Sequence, residues 1–145
     1  MTIKFYKTAE KYGAFSNFSR HQFVEDEKVF RTSEHYFQCM KFVTTDEEYA
    51  EKIRVALTPA KCAKLGRSRD VPLREDWEEV KDGIMMDALR LKFTQHSELK
   101  ELLLSTGDEE IIEDSPVDSY WGCGRDGKGK NMLGQLLMKL RDELA

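Results

Sequence analysis

Two stretches of the chain combine residue types that do chemistry. The first, SEHYFQCMKF from Ser33 to Phe42, sets Glu34 and His35 into a run of aromatics, Met and Cys. The second, WGCGRDGKGKNMLG from Trp121 to Gly134, has glycines at 122, 124, 127 and 129 and the cations Arg125, Lys128 and Lys130. Glu34 admits two readings. In the first turn of a helix, a carboxylate gains roughly 0.3–1 kcal/mol from the helix dipole. Among apolar side chains, a carboxylate is also what glycosidic hydrolysis needs: it stabilises an oxocarbenium-like transition state and activates water. Spacing leaves both open.

The glycine-rich stretch precedes a helix start near Asn131. Glycines let backbone approach a ligand, and free N–H groups at a helix start attract anions. The pattern is neither a Walker A motif nor a dinucleotide fingerprint, which needs a surrounding βαβ unit. A flexible surface loop would read the same way. What adds to it is Asp118-x-x-Trp121, an acid and a large flat side chain leading into the loop. A third feature is KCAKLGRSRDVPLR, Lys61 to Arg74, with five basic residues against one acidic in a chain of net charge −4. Such a stretch is either an anion grip or solvated surface. The net acidity excludes a generally basic nucleic-acid binder.

The elements that must position these residues follow from pattern. TIKFY alternates as a short strand, with Ile3 and Phe5 on one face. KYGAFSNFS is a loop carrying Tyr12, Phe15 and Phe18, either pinned on the core or lining a pocket for a flat ligand. HQFVEDEKVFRT reads as a hairpin, Phe23 and Val24 facing Val29 and Phe30 across EDEK. Thr32 or Ser33 caps a helix through Phe42, and Tyr49, Ile53, Ala56 and Leu57 mark a second. Thr58-Pro59 opens a third that Gly66 terminates. The longest runs from Asp76 to near His96 with Trp77, Val80, Ile84, Ala88 and Leu91 in one stripe. Ser97 restarts a shorter helix that stops at Gly107. A short extended piece follows at Ile111 and Ile112. Asn131 caps a last helix with Leu133, Leu136, Leu137, Leu140 and Leu144 on its apolar face. The expected class is mainly α with a small N-terminal β element.

At 145 residues the chain is expected to form one domain, 1–145, large enough for its own core. Three scattered cysteines, none in CxxC spacing, suggest neither a disulfide framework nor a zinc site. They fit a reducing, cytoplasmic setting. MTIKFYKTAEKYG has no apolar core of a signal peptide, and no run reaches the roughly 18 apolar residues of a membrane span.

In order, YGAFSNFS, RTSEHYFQ and KF, GRSR, a Trp–Lys–Met helix ending LKF, and SPVDSYWGCGRDGKGKNMLGQLLMKLR resemble the YbiA/NADAR family from about Ile3 to Leu144. SEHYFQ and WGxGxxGxGxNxLGxxLM are specific motifs. The resemblance implies a single-domain YbiA-like helical fold and a metal-independent N-glycosidase without a cofactor. It implies hydrolysis of phosphoribosylamino-pyrimidine intermediates of riboflavin biosynthesis, with release of ribose 5-phosphate. Other members remove ADP-ribose from guanine in nucleic acid, and a binding module for ADP-ribose without turnover is a further alternative. The partner is then a small phosphoribosylated or ADP-ribosylated molecule, with nucleic acid only as a modified substrate and no membrane.

By the same resemblance Glu34 is the catalytic carboxylate, and Asp118 and Trp121 belong to its pocket. Arg67, from the GR pair, is a phosphate contact. Phe15, Asn17, Phe18, Gly122, Lys128 and Asn131 complete the expected substrate contacts, with Phe15 or Phe18 and Trp121 stacking on a base. Lys130 is a further phosphate candidate and Arg69 a weaker one. Cys123 departs from the family pattern, and no partner histidine marks it as a catalytic thiol. His35 is read as structural, its ring held by a neighbour.

Overall fold

The computed structural model describes every residue from Met1 to Ala145. In chain order its elements are β1 (Thr2–Phe5), a 3-10 turn (Gly13–Phe15), β2 (Phe23–Glu25), β3 (Lys28–Phe30), α1 (Ser33–Met40) and α2 (Glu47–Arg54). They continue with α3 (Pro59–Arg67), α4 (Trp77–Gln95), α5 (Ser97–Ser105), β4 (Glu110–Glu113) and α6 (Met132–Leu144). The class is mainly α, as expected. Two compact units divide the chain: Met1–Ser19 with Phe93–Ala145, and Arg20–Lys92. No helix is long and apolar enough to cross a membrane.

In the unit Arg20–Lys92, β2 and β3 pair antiparallel with Phe23 opposite Phe30 and Val24 opposite Val29. The turn is shorter than the EDEK expected. Only Asp26 and Glu27 lie outside the pairing, both at positive φ, 50° and 66°. Two consecutive positive-φ residues give the twist that a two-residue hairpin loop needs. The inward faces of Phe23 and Phe30 meet Tyr36 of α1, at 5.8 and 5.0 Å between ring centroids. That cluster seats α1, which also packs on α2 and α3.

Each of these helices starts on a side-chain cap. Thr32 accepts from the His35 N–H, Asp46 from the Tyr49 N–H and Thr58 from the Lys61 N–H. Such caps satisfy N–H groups that have no partner inside the helix. Pro59 occupies the first turn of α3 as expected. Two details differ. Leu57 lies beyond α2 and is 80% exposed, so it does not join the apolar stripe. Gly66 lies inside α3 rather than ending it, and it is needed for clearance: a Cβ there would stand 1.9 Å from Gln38 Oε1.

In the other unit β1 runs parallel to β4, Ile3 beside Ile111 and Phe5 beside Glu113. The apolar faces of α5 and α6 cover one another, with Leu99, Leu103, Leu133, Leu137 and Leu140 buried. Arg141, also buried, donates to Thr106 Oγ1 at 2.9 Å and to the Glu109 carbonyl at 2.8 Å, tying α6 to the turn after α5. Phe15 is fully buried between Phe5 and Phe93, at 5.8 and 5.9 Å. The expectation that Phe15 stacks on a ligand is therefore corrected. An aromatic ring with no exposed face packs a core.

The hairpin turn yields a test. Non-glycine residues at positive φ carry steric strain. Glu27→Gly is expected to raise stability by roughly 0.5–1 kcal/mol, the gain in strain relief exceeding the entropy that glycine adds to the unfolded chain. Urea unfolding would measure it, and a lower midpoint would show that the turn is not strained.

Candidate active site

Helix α1 carries an unusual load of buried polar groups. Thr32, Ser33, Glu34, His35, Gln38 and Lys41 are all buried. His35 resolves first. Its Nε2 lies 2.9 Å from the Ala56 carbonyl, which can only accept, so Nε2 carries the proton. Its Nδ1 then accepts from the Thr32 hydroxyl at 2.7 Å. Desolvation holds the imidazole pKa below its ordinary value, in keeping with this neutral tautomer. His35 thus pins the start of α1 to the chain after α2, alongside the Arg31 guanidinium, which donates to the same carbonyl at 3.0 Å. It is structural, as expected.

Glu34 is 8% exposed, in the first turn of α1. Its Oε2 accepts from Gln38 Nε2 at 2.7 Å, one turn along the helix. That bond orients the amide of Gln38 and turns its Oε1 against Gly66, where it is buried with no hydrogen-bond partner. An orphaned buried carbonyl is costly. It is accepted here because the opposite face of the amide holds the carboxylate. Two helical turns along from Glu34, Lys41 is 8% exposed. Its Nζ lies 5.7 Å from the ring centroids of both Phe37 and Trp77. Burial pushes the ammonium down to about 8, Glu34 pulls against that shift, and Arg69, Arg67 and Lys81 add to it.

Arg67 and Arg69 are exposed at the end of α3 and beyond it. The Arg69 guanidinium donates to the Gly66 and Ser68 carbonyls at 2.9 and 3.0 Å, while Arg67 makes no hydrogen bond to the protein. Of the expected site residues in this unit, Glu34 and Arg67 therefore act on one cation, Lys41. Sequence reasoning quoted Gln38 and Lys41 within the SEHYFQ and KF motifs but gave neither a role in the site. The signal was present: Glu34, Gln38 and Lys41 are spaced by four and three, a polar stripe along one face of an otherwise apolar helix.

The remaining site residues belong to the other unit. Asp118 Oδ1 accepts from the Tyr120 and Trp121 N–H groups at 3.0 and 2.8 Å, so the acid shapes the turn that presents the half-buried indole. Asn17 is buried, and Phe18 is 40% exposed, free to meet a flat ligand as Phe15 is not. Lys128 is exposed, and Lys130 lies over the Tyr120 ring, 5.1 Å from its centroid.

Three expectations about the glycine loop are corrected. Asn131 does not cap α6: it sits in the left-handed region, and its amide accepts from the Glu113 N–H and donates to the Ile111 carbonyl, both at 2.9 Å. Its side chain is engaged by β4 and unavailable to a substrate. The helix start is not an anion site either, because the N–H groups of Asn131, Met132 and Leu133 donate to the Gly122, Tyr120 and Trp121 carbonyls. Gly122 is buried, and a Cβ there would crowd Glu113 and Ser115, so its role is clearance.

Cys123 is a poor nucleophile. Burial, then the hydrogen bond to Asp114 Oδ1 at 3.6 Å, pushes its thiol pKa up. Burial also raises Cys39 to about 11 and Cys62 to about 12.

A model of the NADAR domain matches residues 4–145. The chain belongs to the NADAR family. It is 51% identical over 143 residues to the N-glycosidase YbiA of Escherichia coli K12, covering 99% of this chain and 88% of that protein. The NMR structure of E. coli YbiA superposes with a TM-score of 0.91, over 99% of this chain and 84% of the other. An N-glycosidase of Nostoc punctiforme is 46% identical over 145 residues, covering 99% of this chain and 93% of that protein. The chloroplastic riboflavin biosynthesis protein PYRR of Zea mays is 42% identical over 155 residues, covering 98% of this chain and 25% of that protein. This NADAR protein is, by that membership, a glycosyl hydrolase of the N-glycosidase kind.

The buried ammonium makes stability depend on pH. Lys41 binds its proton less tightly folded, at about 8, than unfolded, at 10.5. Below pH 8 both states are protonated and the full cost is present; between 8 and 10.5 the unfolded state holds more protons, so stability rises with pH. Lys41→Met removes the cost. At pH 7 the variant is expected to be more stable than the parent by up to roughly 3 kcal/mol. The gap should close between pH 8 and 10.5, as read by urea unfolding across pH. A gap constant with pH would mean that the ammonium is not desolvated.

Proposed function

We propose that the protein hydrolyses the N-glycosidic bond of a phosphoribosylamino-pyrimidine of riboflavin biosynthesis and releases ribose 5-phosphate. The observation that carries the reading is the carboxylate of Glu34, buried in the first turn of α1 and oriented by Gln38. A carboxylate so placed stabilises positive charge developing at ribose C1′ and takes a proton from the attacking water, general-base help typically worth about 10²–10⁴-fold. The C1′–N bond breaks and the C1′–O bond forms. The proton that water loses is balanced by the one that the departing nitrogen gains. Support for the substrate class comes from the maize relative named for riboflavin biosynthesis, and from the cations near Glu34, which suit a phosphate.

Asp118 is the second carboxylate of this reading. With Oδ1 engaged by two backbone N–H groups, Oδ2 remains to accept from a ribose hydroxyl. Trp121 and Phe18 stack on the base, each stack worth roughly 1–3 kcal/mol by analogy with single-strand binding. Arg67 supplies charge for the phosphate. The whole chain acts as one NADAR domain, and its three free cysteines fit the reducing cytoplasm where such intermediates arise.

Incubating the enzyme with the phosphoribosylamino-pyrimidine and following ribose 5-phosphate by mass spectrometry tests the reading. Glu34→Gln is expected to lower kcat by about 10²–10⁴-fold with little change in KM, and Cys123→Ser to leave both unchanged. No release at any enzyme concentration would refute the substrate assignment. Faster turnover of an oligonucleotide bearing ADP-ribosyl-guanine would move the same chemistry to nucleic acid.

A further inference from the structure

Gly66 does not need to be a glycine for the sake of its own backbone. It lies inside α3 and takes no positive φ. In a helix interior a glycine costs stability that an alanine would return. What stands against the alanine is one side chain. The three atoms that a Cβ at 66 would meet nearest, at 1.9, 2.6 and 3.3 Å, are Oε1, Cδ and Cγ of Gln38, which reaches across from α1.

The same amide is held from its other side. Gln38 Nε2 donates to Glu34 Oε2 at 2.7 Å, and Gln38 and Glu34 are both buried. An ionised carboxylate can only accept, so the nitrogen faces the acid and the oxygen faces the glycine, where it has no hydrogen-bond partner. A half-turn of the amide would set two acceptors against one another. The amide is thus wedged between an acid on its own helix and a glycine on the next.

The wall behind it is fixed in turn. The Tyr49 hydroxyl of α2 donates to the Leu65 carbonyl at 2.5 Å, and the Arg69 guanidinium donates to the Gly66 carbonyl at 2.9 Å. Tyr49 itself meets Phe42 edge to face at 4.8 Å. Groups outside α3 therefore hold its last turn. A methyl group added at 66 displaces the flexible end of Gln38 more readily than this backbone.

We propose that Gly66 and Gln38 are positioning residues for the Glu34 carboxylate: the bare surface of α3 at Gly66 sets the depth of the Gln38 amide, and the amide sets where Glu34 Oε2 stands. What Glu34 then does rests on the hydrolytic reading above; the relay itself does not. A misplacement of about an ångström at a reacting group costs on the order of 10²-fold in rate. Gly66→Ala is accordingly expected to lower kcat on the order of 10–100-fold with little change in KM. Its unfolding midpoint should stay at or above that of the parent, because alanine is the better helix former and only a side-chain end gives way.

A double-mutant cycle tests the relay. Gln38→Ala removes the atoms that the added methyl meets nearest, so Gly66→Ala in that background is expected to cost no further activity. Gln38→Met, of similar length but without the donor, should lose rate as Gln38→Ala does. Rates are followed on the phosphoribosylamino-pyrimidine, or on the ADP-ribosyl-guanine oligonucleotide should that be the one turned over. NMR of the Gln38 side-chain amide reads the bond without turnover: its protons are expected to exchange slowly in the parent and faster, at a shifted frequency, in Gly66→Ala. Additive losses in the cycle, or an amide signal that Gly66→Ala leaves in place, would overturn the proposal. So would a Gly66→Ala protein that fails to fold, since the glycine would then serve the fold and not the acid. The expected amide shift in a protein that hydrolyses neither substrate would uphold the relay and refute the hydrolytic reading instead.

Discussion

A carboxylate removed from water and bonded to an amide one turn along its helix is the constraint on which the region around α1 depends. Glu34 is tolerable in its place because several modest effects act together. The helix dipole favours an acid in the first turn, Gln38 donates to it, and Lys41 acts on it from two turns away. Each of these is felt more strongly in a buried setting than in water. The same setting makes every missing partner expensive. Gln38 shows this directly: its Nε2 serves the acid, its Oε1 has no partner, and α3 carries a glycine at the point of contact. Gly66, which reads locally as a helix terminator, is there because of a residue on another helix.

The start of α1 is correspondingly overdetermined. The Thr32 side chain accepts from the His35 backbone and donates to the His35 ring, and the ring donates to the carbonyl of Ala56. Tyr36 is clasped by the hairpin phenylalanines. None of these groups is needed for acid–base chemistry, yet together they fix the first turn from which Glu34 projects. A general base must be positioned to within a fraction of an ångström, and that positioning comes from neighbours that never touch substrate. His35, the residue beside Glu34 with the most familiar catalytic chemistry, is in fact a hinge pin.

What could be read from the sequence was local, and what could not was long-range. Caps at Thr32 and Thr58 and the hairpin pairing follow from neighbours a few positions apart, and they stand in the structure as read. The parallel pairing of β1 with β4 joins residues more than a hundred positions apart, and no periodicity announces it. Asn131 illustrates the cost of local reading. By type and place it is a helix cap, but its amide is claimed by β4, which only the folded chain brings alongside. The glycine loop misled in the same way: its free N–H groups turn inward to its own carbonyls. Phe15 and Phe18, three positions apart in one loop, differ in nothing that a sequence displays, and one is core while the other is exposed. Glu34 was legible as an acid in an apolar run. Lys41 stood in the KF pair of the family pattern, with nothing local to mark it as buried.

The two readings of Glu34, a helix start or a chemical group, turn out not to compete. The helix dipole favours the charged form of a carboxylate in the first turn, and that is also the useful form beside a developing oxocarbenium ion. The cation two turns on obeys the converse logic. Lysine loses its proton more readily than arginine when buried, and its charge is a point rather than a plane. At that place arginine would have needed acceptors in a fork, and the aromatic faces of Phe37 and Trp77 offer none. The helix thus carries opposite charges at its two ends, each where the dipole favours it, with an amide between them. Both charges stay buried at the expense of the stability that apolar residues would have given.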